Sequence, residues 1–128
     1  MIYLDTSVAL AHLLAEDRQP PESLWAGHLV SSRLLEYELL TRIHARRLTE
    51  SHGEAVRELL ARVSLLELAP PVLERALDPF PRPVRTLDAL HLASMVFLRR
   101  LGQDVRLACY DGRLSAAAEA LGFEPWTG

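Results

Sequence analysis

The chain has 128 residues, a formal net charge of −3 and an apolar fraction of 49%. These values predict one soluble globular domain over residues 1–128 and exclude a strong overall positive field for nucleic acid. Cys109 is the one cysteine, which excludes an internal disulfide, and we expect it to be a buried structural thiol. The charge-free stretches are too short to span a bilayer and no secretory leader is visible, so we expect a cytoplasmic protein without membrane contact.

The first half of the chain alternates strand patterns with helical ones. Residues 2–4 are a short apolar strand, and residues 6–16 have the spacing of a helix. After a polar break and a short turn of helix, residues 28–32 form a second strand pattern. Two helical patterns follow, at residues 33–47 and 49–62.

The second half continues the alternation. Residues 64–70 are a strand pattern, and a helix opened by proline follows at residues 70–77. The three prolines of residues 78–85 indicate a loop. The last predicted elements are a helix at 86–101, a strand at 105–110, a helix at 112–121 and a terminal strand at 123–126. Strands separated by helices predict an α/β fold, with a central parallel sheet covered by helices on both faces.

Three aspartates fall at one edge of this predicted sheet. Asp5 directly follows the first strand and Asp111 directly follows the strand at 105–110, so both lie at carboxyl ends, where open parallel sheets build their sites. Asp88 begins the helix at 86–101 and can face the same edge. Each has a purely structural alternative. Asp5 and Asp111 suit the N-cap of the helix that follows them, and Asp88 suits the first turn of a helix capped by Thr86.

A fourth acid lies in the segment LLEYELL, which contains both Glu36 and Glu38. At 100° per residue, Glu38 shares a stripe with residues that carry no other charge: Leu34, Thr41 and Ala45. Glu36 falls nearer to Arg47, and we expect it to pair with that arginine or with water. The helical wheel therefore favours Glu38 as the inward-facing acid.

Four motifs in sequence order carry a resemblance to a known family. They are YLDTSV (3–8), SRLLEYEL (32–39), RTLDALHLA (85–93) and ACYDGRL (108–114), and the set resembles the PIN domain, most closely the VapC-type toxin ribonucleases. The resemblance implies a three-layer α/β/α fold around a parallel sheet. It also implies four acids that hold Mg²⁺ or Mn²⁺, and matching the motifs residue by residue gives Asp5, Glu38, Asp88 and Asp111. Ser7 matches the hydroxyl residue that the family often has two positions after its first aspartate.

The activity implied by this resemblance is metal-dependent hydrolysis of RNA phosphodiester bonds. Oxygen ligands without histidine or cysteine suit hard cations such as Mg²⁺ and Mn²⁺. We expect Asp5 and Asp88 to be direct ligands, with Glu38 and Asp111 nearby or bound through water. Ser7 orients a water or a phosphate, or is merely a hydroxyl in the first turn of a helix. The family also implies a cognate VapB-like antitoxin, whose tail blocks the acids, and a homodimer.

Three other functions compete with this interpretation. A phosphohydrolase with Asp5 as its nucleophile needs a second acid two residues later, where this chain has Ser7. A nuclease of the same fold acting on DNA stays open, as does a non-catalytic module that binds RNA or protein.

His91 is expected to pack or to form hydrogen bonds rather than to bind metal. Five arginines either hold phosphates around the site or form a solvated surface: Arg42, Arg46, Arg47, Arg82 and Arg85.

Overall fold

Five short strands form one parallel sheet in the computed structural model, which describes residues 1–128. The strands are β1 (Ile2–Leu4), β2 (Leu29–Ser32), β3 (Ser64–Leu66), β4 (Arg106–Ala108) and β5 (Glu124–Pro125). Their order across the sheet is β3-β2-β1-β4-β5, and every neighbouring pair is parallel. The predicted α/β class with a central parallel sheet is confirmed.

Six helices cover the two faces of the sheet. They are α1 (Thr6–Leu13), α2 (Leu34–Ala45), α3 (Thr49–Ala61), α4 (Pro70–Leu77), α5 (Thr86–Arg100) and α6 (Gly112–Ala120), with a short 3-10 turn at Glu22–Leu24. One apolar core joins α1, α2 and α3 to the sheet, and a second core joins α5 and α6 to the opposite face. Helix α4 packs against α5. The result is the predicted three-layer arrangement.

The central strand β1 shows how the sequence divides its side chains between these cores. Ile2 and Leu4 belong to the core of α1, α2 and α3, whereas Tyr3 belongs to the core of α5 and α6. This division follows from the alternation of successive side chains along a strand. All three residues are buried, because the strand lies in the middle of the sheet with helices on both sides.

The position of β1 also determines where a site can form. The chain passes from β1 to β2 and β3 on one side of the sheet, then returns to place β4 and β5 on the other side. Such a reversal in strand order opens a crevice at the carboxyl ends of the strands on either side of it. The segments that follow β1 and β4 therefore meet at one edge.

The elements lie in the predicted order, but several are shorter than predicted. Helix α1 ends at Leu13 because Ala15 adopts a left-handed φ of 50°, and α2 ends at Ala45 because Arg47 has a φ of 57°. Strand β3 covers only residues 64–66. None of the helices combines the length and the apolar character needed to cross a membrane.

The predicted cap of α5 is wrong. Thr86 is the first helical residue, and Arg85 lies in the cap position with extended backbone and no capping hydrogen bond from its side chain. Asp88 does lie in the first turn, as expected. The helix begins at residue 86, as predicted, but no side chain caps it.

Candidate active site

Four acidic side chains line one open cleft of about 450 Å³ at the carboxyl edge of the sheet. They come from four separate segments: the end of β1, the second turn of α2, the first turn of α5 and the end of β4. The four are the acids selected from the sequence: Asp5, Glu38, Asp88 and Asp111. Ser7 lines the same cleft. The structure therefore brings together residues that are far apart in the chain.

Asp5 is buried, with 6% of its surface exposed, and it caps helix α1. Its Oδ2 accepts hydrogen bonds from the Ser7 backbone N–H at 3.1 Å and from the Ser7 hydroxyl at 2.5 Å. The Ser7 hydroxyl also accepts a bond of 2.9 Å from the backbone N–H of Tyr110, just after β4. Ser7 therefore ties the end of β1 to the end of β4, a positioning role within the protein that sequence reasoning did not include.

Asp111 caps helix α6 in the same way. Its Oδ1 accepts hydrogen bonds from the backbone N–H groups of Arg113 at 2.9 Å and Leu114 at 3.4 Å. The capping roles of Asp5 and Asp111 and their place in the cleft are thus compatible, because each cap uses one carboxylate oxygen.

Cys109 lies between these two aspartates. Its thiol donates to Asp5 Oδ2 at 3.4 Å, and its sulfur accepts a bond of 3.2 Å from the Asp111 backbone N–H. The residue is half-buried, not fully buried as expected. Burial raises the pKa of the thiol to about 12, and the charge of Asp5 adds to this effect. The thiol is therefore protonated near neutral pH and is a poor nucleophile.

The two glutamates of α2 have different environments. Glu38 faces the cleft, and its Oε1 accepts a hydrogen bond of 2.5 Å from His91 Nε2. Glu36 is partly exposed and lies 3.6 Å from an Arg33 guanidinium nitrogen, so its expected partner, Arg47, is wrong. The reason is local: Arg33 is three residues away on the same helical face, whereas the left-handed backbone of Arg47 takes it off the helix.

Asp88 has a raised pKa because of its burial and its place among these acids. Burial raises its pKa above the ordinary value for an aspartate, and the charges of Asp111, Asp5 and Glu38 raise it further. The neighbouring His91 has a smaller opposing effect. The ionised form of Asp88 is therefore disfavoured where other carboxylates are close, which is the condition that a bound cation relieves.

The residues fit a hard divalent cation by the chemistry of their donor atoms. In Asp5, Glu38 and Asp111, one carboxylate oxygen is used by hydrogen bonds within the protein, and the second oxygen is left for the cleft. Oxygen donors of this kind suit Mg²⁺ and Mn²⁺. The side chains line the same cleft, but no three of them are gathered tightly enough to form a ready-made metal site.

Two of the five arginines proposed to hold phosphates line the cleft: Arg42 on α2 and Arg85 before α5. Arg46 lines an adjoining cleft that shares Ser7 and Arg42 with the first one. Arg47 and Arg82 line neither cleft. Arg42 and Arg85 therefore contribute positive charge to the cleft that holds the acids.

Comparison with known proteins identifies the class. A family model for the PIN domain matches residues 2–120. Ribonuclease VapC46 of Mycobacterium tuberculosis is 38% identical over 128 residues, which cover 94% of this chain and 92% of that protein. Ribonuclease VapC47 of the same organism is 30% identical, with 96% of this chain and 93% of the relative covered. The chain belongs to the PIN-domain family and, within it, to the VapC type, which confirms the predicted resemblance.

Proposed function

We propose that this protein is a Mg²⁺- or Mn²⁺-dependent endoribonuclease, the toxin of a VapBC-type toxin–antitoxin pair. The observation that carries the proposal is the cleft at the carboxyl edge of the sheet, where four segments each contribute one acid. The names of the similar proteins, each called a ribonuclease, agree with RNA as the substrate. The assignment of Asp5, Glu38, Asp88 and Asp111 as the catalytic acids is part of the same proposal.

The proposed roles of the residues follow from their positions. Asp5 and Asp88, with Glu38 and Asp111 nearby or acting through water, would hold the cation. A divalent cation supplies Lewis acidity at such a site, both for activating water and for neutralising charge on a phosphoryl group. Ser7 keeps Asp5 oriented by donating to its Oδ2, while the cap at α6 keeps Asp111 oriented. Arg42 and Arg85 would bind the phosphates on either side of the cleaved bond.

Removal of divalent cations is expected to stop RNA cleavage. The reason is that four carboxylates alone repel a phosphodiester, whereas a cation between them attracts it. The measurement is cleavage of a panel of structured RNAs and single-stranded DNA by pure, antitoxin-free protein with Mg²⁺, Mn²⁺ or excess EDTA. Undiminished cleavage in EDTA would contradict metal dependence. Inactivity of the well-folded protein on every RNA, or cleavage of DNA alone, would contradict the ribonuclease assignment.

Neutralising either cleft arginine is expected to weaken RNA binding without changing the chemistry. Arg42→Gln and Arg85→Gln should each raise KM several-fold at nearly unchanged kcat. Each should also lower the slope of log KM against log salt by about 0.7, the value for one lost phosphate contact on a single strand. Arg100→Gln, an exposed residue at the far end of α5, is the matched control. Equal effects from all three variants would show that RNA binding depends only on the overall charge of the protein and not on the two cleft arginines.

The partners are proposed from the VapC type. A VapB-like antitoxin would occupy the cleft and cover the acids, and two copies of this chain would form a homodimer. Two leucines of α4, Leu73 and Leu77, are exposed and provide apolar surface for such contacts. Light scattering of the purified protein distinguishes the dimer from the monomer, and loss of RNA cleavage on adding the antitoxin tests the covered cleft.

A further inference from the structure

A chain of buried hydrogen bonds connects the centre of the sheet to one of the proposed catalytic acids. The Tyr3 hydroxyl of β1 lies 2.8 Å from His91 Nδ1, and His91 Nε2 lies 2.5 Å from Glu38 Oε1. Tyr3 is fully buried and His91 is 1% exposed. The two rings meet edge to face, with centroids 5.8 Å apart. His91 is thus held on both sides, with water excluded.

For a neutral imidazole, one arrangement of protons satisfies both of these bonds. The Tyr3 hydroxyl donates to Nδ1, and the N–H at Nε2 donates to the Glu38 carboxylate. A hydrogen bond to an ionised carboxylate is about twice as strong as one between neutral groups. The bond also joins two helices, because His91 belongs to α5 and Glu38 to α2. Each of the three linked elements carries or precedes one of the cleft acids.

We propose that His91 is a positioning residue that fixes Glu38 for metal binding, an inference that rests on the proposed function. By occupying Oε1, the imidazole prevents the glutamate side chain from rotating and leaves Oε2 as the oxygen for the cation. A glutamate has several rotatable bonds, and free rotation would have to be lost each time the cation binds. His91 therefore acts through Glu38 and does not contact the substrate.

Two substitutions of similar polarity separate positioning from simple packing. In His91→Gln the amide nitrogen reaches the place of Nε2 and can still donate to Glu38, whereas in His91→Asn the amide reaches only the place of Nδ1. We expect His91→Asn to raise the dissociation constant for Mn²⁺, measured by electron paramagnetic resonance, roughly tenfold and to lower kcat by about 10- to 100-fold. The KM for RNA should stay nearly constant. His91→Gln should restore most of both losses.

Two controls test whether the effect passes through Glu38. In a Glu38→Gln background, His91→Asn should not weaken Mn²⁺ binding further, because coupled positions are not additive. Additive effects would overturn the proposal. Leu98→Ala, a buried change on the same helix outside the cleft, should lower the melting temperature with kcat unchanged. If kcat in all variants simply follows the melting temperature, His91 is only a packing residue and the proposal is overturned.

The remaining outcomes also decide the question. If His91→Asn does not fold, Tyr3→Phe is used in its place. Loss of the donor to Nδ1 leaves the imidazole free to rotate, which should weaken Mn²⁺ binding a few-fold at constant KM. Unchanged Mn²⁺ binding in this variant overturns the proposal. If the wild type and His91→Asn cut RNA and bind Mn²⁺ equally well, the role of His91 is overturned and the proposed function stays intact. Wild-type protein that does neither overturns the proposed function itself.

Discussion

Asp88→Asn is expected to abolish RNA cleavage and to weaken Mn²⁺ binding, yet to melt in EDTA at the same temperature as the wild type or higher. Asparagine has nearly the same shape but removes one charge from a group of carboxylates. Loss of an acid in the first turn of α5 costs about 0.3–1 kcal/mol of attraction to the helix dipole. Relief of repulsion from Asp111 and Asp5, which helps to raise the pKa of Asp88, opposes that loss.

The prediction for Asp88→Asn also sets how the difference in melting temperature from the wild type changes with pH. The pKa of Asp88 is raised in the folded protein, so protonation favours folding, and the contribution of Asp88 to stability falls as pH rises through the raised value. The asparagine of the variant has no proton to lose in this range. The melting temperature of the variant relative to the wild type in EDTA should therefore increase from about pH 4 towards about pH 7.

A matched change at an exposed acid provides the control for Asp88. Asp104 lies between α5 and β4, outside the cleft, and Asp104→Asn removes the same charge. It should leave cleavage and Mn²⁺ binding unchanged. If Asp88→Asn melts clearly lower in EDTA and still cuts RNA, Asp88 is only a first-turn acid and the proposed ligand set is wrong.

Glu38→Gln and Glu36→Gln should differ by orders of magnitude in cleavage. Glu38 faces the cleft and is fixed by His91, so loss of its charge removes a proposed ligand and should lower kcat by roughly 100-fold or more. Glu36 forms an exposed ion pair with Arg33, and solvent screening makes such pairs weak. Its substitution should change cleavage no more than a few-fold.

The pair of glutamate variants is its own control, because both remove one charge from the same stretch of α2. Single-turnover cleavage at saturating RNA compares the chemical step directly, and melting curves report whether either variant loosens the fold. A larger loss from Glu36→Gln than from Glu38→Gln would mean that the helical wheel and the family match are both wrong in this segment.

Much of the fold could be predicted because local patterns and tertiary packing agree. Short apolar runs alternate with helical spacing, and this alternation alone predicts a parallel sheet between helices. The ends of elements were less predictable. Nothing in the sequence marks Ala15 or Arg47 as left-handed, although these residues terminate α1 and α2. The cap of α5 was also wrong, because Thr86 is itself the first helical residue and Arg85 lies in the cap position.

Three acids of the cleft could be selected because Asp5 and Asp111 directly follow strands and Asp88 lies in the first turn of a helix at the same edge. Glu38 was selected by the helical wheel, and the resemblance to the PIN domain implied the set of four. The contacts of these acids could not be predicted from the sequence. The bond between His91 and Glu38 joins residues on two helices, and only the packing of α2 and α5 around β1 brings them together. The signal was a histidine one turn after Asp88, inside an otherwise apolar stretch, which indicates either packing or a hydrogen bond and does not identify a partner.

The order of strands has a consequence for how the protein is made. On the ribosome β1 emerges well before β4, yet residues 2–4 pair with residues 106–108 along one whole side of the strand. Until β4 arrives, β1 can pair with β2 only, and its other side is an open edge to which other chains can bind. Asp111 follows β4 and is the last of the four carboxylates to emerge. Chains terminated before residue 106 therefore lack both the strand and the acid, so the cleft cannot be complete until residue 111 has been synthesised.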